Sequence, residues 1–219
     1  MITQNLPELL YISDAYCAWC YGMSPVVQRV AREFAGRITI GVLSGGMIKH
    51  DDVGPIGEVW EDIAGTLQQV EQVTGVRFGE AYKLLGQAGT YVQDSEPPAR
   101  AVHAFRQLDP EGRAVAFGRD IQLALFERGQ DLNVVATYEA LLGPYGVRAE
   151  DFRRVFEQPA TAAAVEQEFL AVGRIGVQGF PTSILRIGSQ GYVLSRGYQP
   201  YEVFVQGLEQ ALQQATEEA

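Results

Sequence analysis

Cysteine and histidine are scarce in this sequence of 219 residues, which has two of each. Two cysteines are too few for a disulfide-stabilised scaffold. Negatively charged side chains outnumber positively charged ones, and the net charge of −10 argues against nucleic acid and anionic membrane as partners. No apolar run approaches the length of a membrane span. Residues 1–8 lack a basic region followed by an apolar segment, so we expect no secretion signal and a cytoplasmic protein.

The two cysteines that are present lie close together, in Cys17-Ala18-Trp19-Cys20. The apolar run at 9–12 predicts a buried strand before them, and residues 24–34 carry apolar side chains at helical spacing after them. A second β-rich run follows at 38–43. The pair therefore sits where a strand gives way to a helix, inside a strand–helix–strand unit. In a reducing compartment this context favours a redox pair.

The start of a helix suits thiol chemistry for an electrostatic reason. Thiolate is the nucleophilic form of cysteine. The first helical turn presents unpaired N–H groups and the positive end of the helix dipole, and both favour an anion. We therefore predict that Cys17 attacks a disulfide and that Cys20, one turn further on, resolves the mixed disulfide.

Three other interpretations of the cysteine pair compete with a redox role. Half of a zinc site is one, but the remaining soft ligands are His50 and His103, which are far apart in sequence. An inert structural disulfide is another, although closing so small a loop stabilises little. The third is chance proximity of two buried cysteines. We expect neither a metal nor a cofactor.

The sequence predicts an α/β unit interrupted by a long helical stretch. From about Pro55 to Gly173 the pattern is helical almost throughout, and Ser95 is placed to cap one of these helices. Strands are predicted again at 183–187 and 192–196, joined as a hairpin, and Pro200 opens a final helix. We therefore predict one domain formed by residues 1–54 and 174–219, with residues 55–173 as an inserted helical subdomain.

Two further features allow more than one interpretation. Gly45-Gly46 follows the second strand and forms either a plain turn or a loop that contacts a ligand. Glu96 and Arg100 lie either on a solvated helix end or near the active site.

The order of these motifs resembles the DsbA-like branch of the thioredoxin fold. The shared features are the Cys-x-x-Cys at a strand–helix junction, the long helical insertion, and Gly-Phe-Pro-Thr at 179–182 before a hairpin and a last helix. Residues 14–22 look especially like the FrnE-like members and related disulfide isomerases. Ala18 and Trp19 stand where the best-known periplasmic oxidant has proline and histidine, so the resemblance does not imply a strong oxidant.

The resemblance implies a function and a set of site residues. Pro181 matches the family's cis-proline facing the cysteines, and the backbone of Phe180 and Thr182 would pair with an extended substrate. Trp19 would form an apolar lip for substrate or pack on the insertion. The implied activity is that of a thiol–disulfide oxidoreductase or isomerase acting on protein or small-molecule disulfides and thiols. A glutathione-linked isomerase or transferase of the same fold, and a non-enzymatic binding or chaperone module, are the alternatives.

Overall fold

A four-stranded sheet forms the centre of the computed structural model, which describes residues 6–217. In chain order the strands are β1 (Glu8–Ser13), β2 (Thr39–Ser44), β3 (Gly54–Pro55), β4 (Val92–Gln93), β5 (Thr182–Ile187) and β6 (Gln190–Arg196). The central sheet has the order β2-β1-β5-β6, while β3 and β4 form a separate short pair. The helices are α1 (Ala18–Glu33), α2 (Trp60–Thr74), α3 (Glu80–Ala88), α4 (Glu96–Leu108), α5 (Ala114–Phe126), α6 (Val135–Glu139), α7 (Ala149–Phe156), α8 (Pro159–Arg174) and α9 (Tyr201–Glu217).

The strand directions determine which loops meet. Strand β1 runs parallel to β2 and antiparallel to β5. Ile12, near the end of β1, pairs with Thr182, the first residue of β5. The residues that follow β1 and those that precede β5 therefore emerge at the same edge of the sheet, although they are more than 150 positions apart in the chain.

Helix α1 begins earlier than its apolar spacing suggests. The helical pattern is clear only from Ser24, but the helix starts at Ala18 and includes Pro25. Proline has no N–H, so the carbonyl of Tyr21 loses its normal partner four residues on. The Ser24 hydroxyl donates to that carbonyl at 2.8 Å instead. The early start makes Cys17 the N-terminal cap residue of α1.

Helices α2 to α8 lie between β2 and β5, so the predicted α/β architecture with a helical insertion is confirmed. The short β3–β4 pair is an addition to it. The division at residues 54/55 and 173/174 stays a prediction. Of the helices in residues 6–217, none combines the length and apolar character needed to cross a membrane.

The predicted capping role of Ser95 is wrong. Its side chain makes no cap bond to α4. The Ser95 hydroxyl instead accepts from the backbone N–H of Ile48 at 3.0 Å, and the Ser95 N–H donates back to the Ile48 carbonyl at 2.8 Å. At the start of α4 the carboxylate of Asp94, rather than the Ser95 hydroxyl, accepts a hydrogen bond from the N–H of Glu96, at 2.9 Å. A long-range contact thus outweighs the local preference, and it ties α4 to the loop after β2.

Candidate active site

Cys17 and Cys20 lie at the start of α1 with their reactive groups in contact. Both are free thiols. The backbone N–H of Cys20 donates to the Cys17 sulfur at 3.1 Å. Cys17 has an extended backbone, with φ −79° and ψ 108°, which turns its side chain back towards the N–H groups of the first turn. An N–H that donates to sulfur at a helix start stabilises negative charge on that sulfur.

The two thiols differ in environment. Cys20 is fully buried, whereas Cys17 retains 5% exposure. Burial raises the pKa of the Cys20 thiol well above its ordinary value, and the hydrogen bond to Cys17 and the negative charge of Cys17 raise it further. Cys20 is therefore kept protonated at neutral pH, and Cys17 is the sulfur that a substrate can reach first.

The residues before β5 pass directly beside Cys17. The Cys17 thiol lies 3.6 Å from the Phe180 carbonyl oxygen. The Phe180–Pro181 peptide bond is cis. Thr182 is buried, and its hydroxyl donates to the Gly179 carbonyl at 2.8 Å, which closes the turn that presents Phe180. The structure thus brings Phe180, the residue before the cis-proline Pro181, to Cys17 at the shared sheet edge.

The glycine pair after β2 lies next to the loop that precedes β5. The Gly45 N–H donates to the Ser13 carbonyl at 2.8 Å, which holds its backbone against the end of β1. A Cβ atom at Gly45 would lie 2.2 Å from the Phe180 ring, so the absence of a side chain lets the ring pack there. Gly46 has φ +65°, a left-handed conformation that glycine adopts readily. Gly45 therefore leaves room for the Phe180 ring, whereas Gly46 lies against the Phe169 ring of α8.

A cleft of about 280 Å³ opens beside Cys17. Its walls come from the start of α1, the loop after β2, helices α2 and α3, and the loop before β5. The lining residues are Tyr16, Cys17, Ala18, Trp19, Met47, Asp62, Ile63, Thr66, Tyr82 and Phe180. Trp19 is part of this wall, and its ring centroid lies 6.5 Å from that of Tyr198. Trp19 therefore meets the cleft on one side and an aromatic ring near β6 on the other.

Asp14 is a buried acid at this site that sequence reasoning did not single out. Its carboxylate accepts from the N–H of Tyr16 at 3.0 Å and from the N–H of Met47 at 2.8 Å. Burial raises the pKa of Asp14, and these hydrogen bonds oppose that shift. The side chain joins the segment before Cys17 to the loop after β2. The sequence does show an acid between a strand and the Cys-x-x-Cys motif, which could have drawn attention to Asp14. Its burial could not be predicted, because it depends on contacts with residues distant in sequence.

Several other polar residues lie away from Cys17. Glu96 pairs with Arg100 and lines a different cleft with His50 and Glu166, whose side chains are 3.2 Å apart. His103 lies 3.1 Å from Arg106. Within residues 6–217, no three His, Cys, Asp or Glu side chains are grouped as metal ligands would be. The thiol cleft is thus formed without Glu96 or either histidine.

Comparison with known proteins identifies a family and similar structures. A family described as the DSBA-like thioredoxin domain matches residues 9–209. A structure from Nitrosomonas europaea, provisionally described as a protein disulfide isomerase, is 27% identical, with a TM-score of 0.85 over 96% of this chain and 99% of that one. A search of curated proteins found no match.

The cytosolic disulfide reductase DsbM from Pseudomonas aeruginosa is also similar. It is 28% identical, with a TM-score of 0.78 over 94% of this chain and 98% of that one. A structure of DsbM with GSH is 29% identical, with a TM-score of 0.75 over 94% and 99% of the two chains.

Proposed function

This chain belongs to the DSBA-like thioredoxin-domain family, and we propose from its site that it is a thiol–disulfide oxidoreductase whose Cys17 and Cys20 form the redox centre. The observation that carries the proposal is the contact between the two residues. The Cys20 N–H donates to the Cys17 sulfur at 3.1 Å, and Cys20 lies fully buried behind it. The two sulfurs are thus adjacent but unequal, as an attacking and a resolving thiol need to be.

In the first step, the Cys17 thiolate attacks one sulfur of a substrate disulfide. A bond forms between the Cys17 sulfur and that substrate sulfur, and the substrate S–S bond breaks. The other substrate sulfur leaves as a thiolate with the electron pair. The helix start and the Cys20 N–H favour this step because they stabilise the attacking anion.

In the second step, Cys20 gives up its proton to the thiolate released in the first step or to water, and its sulfur attacks the Cys17 sulfur. The mixed disulfide breaks, the second substrate thiolate leaves, and a Cys17–Cys20 disulfide forms. The substrate gains two electrons and the enzyme loses two. Burial is the largest cause of the raised pKa of Cys20, and the hydrogen bond to Cys17 and the Cys17 charge add to it. The contribution of the Cys17 charge disappears once the Cys17 sulfur is bonded in the mixed disulfide, so Cys20 then loses its proton more easily. Run in reverse, the same steps oxidise a substrate, and in combination they isomerise disulfides.

Substrate would lie along the loop before β5. The Phe180 carbonyl is 3.6 Å from the Cys17 thiol, so an extended peptide that pairs with residues 180–182 would place its own sulfur beside Cys17. Trp19 and the other apolar residues of the cleft would contact the side chains that flank the substrate sulfur. Protein and small-molecule disulfides both fit this description.

A small thiol would return the Cys17–Cys20 disulfide to the dithiol form. The similar DsbM has been solved with GSH, and it is described as cytosolic. These two observations support a glutathione-type reductant and a cytoplasmic location for this chain.

The substitution Cys20→Ala tests the order of attack. Removing the resolving thiol should leave Cys17 in mixed disulfides with glutathione or client proteins, because nothing then attacks the Cys17 sulfur from within. Intact mass after incubation with glutathione disulfide measures the adduct directly. Cys17→Ala is the matched control and should form no adduct, since Cys20 is buried.

Adducts that form only in Cys17→Ala would show that the roles are reversed. Wild-type protein that fails to reduce insulin disulfides with a thiol reductant present would favour the binding or chaperone alternative. Conjugation of glutathione to an electrophile, retained in Cys20→Ala, would favour the glutathione-linked alternative.

A further inference from the structure

The walls of the thiol cleft carry one acidic residue and no basic residue. Among the ten described residues that line it, the remainder are apolar, aromatic or hydroxyl side chains, and the charged one is Asp62. No lysine, arginine or histidine is among them. A substrate that approaches Cys17 therefore meets a single negative charge, with no positive charge on the walls to offset it.

The Asp62 carboxylate is free to act on a substrate. It lies in the first turn of α2 and is exposed to solvent. In the described part of the chain it forms no ion pair and accepts no side-chain hydrogen bond; only its backbone carbonyl is used, by the Thr66 hydroxyl at 3.0 Å. Glu96, by contrast, is paired with Arg100.

The groove that follows along the same loop is also acidic. It begins at Ile48, one residue beyond Met47, and is lined by Asp51, Asp52 and Glu58 and by no basic residue. A substrate that approaches from this side therefore meets negative rather than positive side chains.

We infer that Asp62 makes the thiol cleft selective for disulfides that carry positive charge near the sulfur. The preferred class is a disulfide flanked by an ammonium or guanidinium group, and disulfides flanked by carboxylates are disfavoured. This inference rests on the proposed redox function and adds its substrate class. The reaction is the one already described: two electrons pass from the Cys17–Cys20 dithiol to the disulfide, which leaves as two thiols.

The competing explanation of Asp62 is structural. An acid in the first turn of a helix is favoured by the helix dipole, whatever lies in front of it. Glu61 shares this turn, this charge and this exposure, but it does not line the cleft. Glu61→Gln is therefore the matched control for Asp62→Asn, since both remove one negative charge from the same helix start.

The test measures how fast the reduced protein is oxidised by three small disulfides. Cystamine is cationic, bis(2-hydroxyethyl) disulfide is neutral, and glutathione disulfide is anionic overall. The three reagents differ in intrinsic reactivity. This difference cancels when, for each reagent, the wild-type rate is divided by the rate of the variant. Two unit charges about 7 Å apart in water change a rate by about threefold, and 0.15 M salt reduces the effect because the Debye length is then about 8 Å.

At low salt, Asp62→Asn should lower the cystamine rate by about threefold, raise the glutathione disulfide rate by a similar factor, and leave the neutral rate unchanged. Asp62→Lys should change the logarithm of each of these two rates by twice as much. Glu61→Gln should change both rates less than Asp62→Asn does. Equal shifts for Glu61→Gln and Asp62→Asn, or none for Asp62→Lys, would overturn the inference. Failure of the neutral disulfide to oxidise the Cys17–Cys20 pair would overturn the proposed function itself.

Discussion

Replacing Gly45 by alanine would push a methyl group into the Phe180 ring. The new Cβ would lie 2.2 Å from Cε1 and 2.3 Å from Cζ of that ring. Carbon atoms in contact normally lie about 3.5–4.0 Å apart, so the two groups must separate by more than about 1 Å. The Gly45 backbone is held by its hydrogen bond to Ser13, at 2.8 Å. The Phe180 ring must therefore move, and its carbonyl is the group 3.6 Å from the Cys17 thiol.

The effect on activity should exceed the effect on stability. Overpacking costs about 1–3 kcal/mol, and the half-buried Phe180 ring can swing outward, so we expect the lower end of that range for Gly45→Ala. A misplacement of about 1 Å beside reacting atoms can slow a reaction by about 100-fold. We therefore expect the rate of insulin reduction to fall by about 10- to 100-fold, with a loss of about 1 kcal/mol in denaturant unfolding.

Gly65→Ala provides the control for this experiment. Gly65 lies within α2, and a Cβ there would meet nothing within 4 Å. Alanine is the better helix former by about 0.5–1 kcal/mol, so this variant should be more stable and equally active. A Gly45→Ala protein that reduces insulin at the wild-type rate would refute the reasoning, because the loop that carries Phe180 would then have no part in placing the substrate.

Two further predictions concern the buried groups of the site. Iodoacetamide at neutral pH should modify Cys17 well before Cys20, because burial raises the pKa of Cys20 and hides its sulfur; peptide mapping that finds equal labelling at early times would contradict this. Asp14 has a folded-state pKa above its ordinary value, so its contribution to the free energy of unfolding falls as pH rises from about 4 through that raised pKa. The stability of wild type relative to Asp14→Asn should therefore decline over that range in denaturant unfolding, and a relative stability that rises with pH would oppose the assignment.

Much of the fold can be predicted from patterns of neighbouring residues in the sequence. The strand at 9–12, the helix after the cysteines and the final hairpin are visible in the sequence because each depends on residues next to one another. Even here, boundaries shift. The apolar spacing is regular only from Ser24, although the position of the cysteines at a strand–helix junction already indicates the start of α1 beside Cys17.

The site depends more on contacts between distant segments. Phe180 could be placed near Cys17 through the family resemblance, but the packing of its ring on Gly45 could not, since it joins two loops that are far apart in the sequence. The same holds for Asp14, whose burial follows from the loop that carries Met47. In the sequence Asp62 is one of several acids within the predicted helical stretch, and only the fold places it in the first turn of α2 and on the wall of the thiol cleft.

A redox titration read out by thiol alkylation tests the central claim most directly. Protein is equilibrated in buffers of reduced and oxidised glutathione, and the free thiols are alkylated and counted by intact mass. The Cys17–Cys20 account predicts that both thiols disappear together in one two-electron transition, with a tenfold change in the equilibrium ratio for about every 30 mV. Two thiols that stay free across the whole range, or a glutathione adduct on Cys17 with Cys20 still reduced, would contradict it.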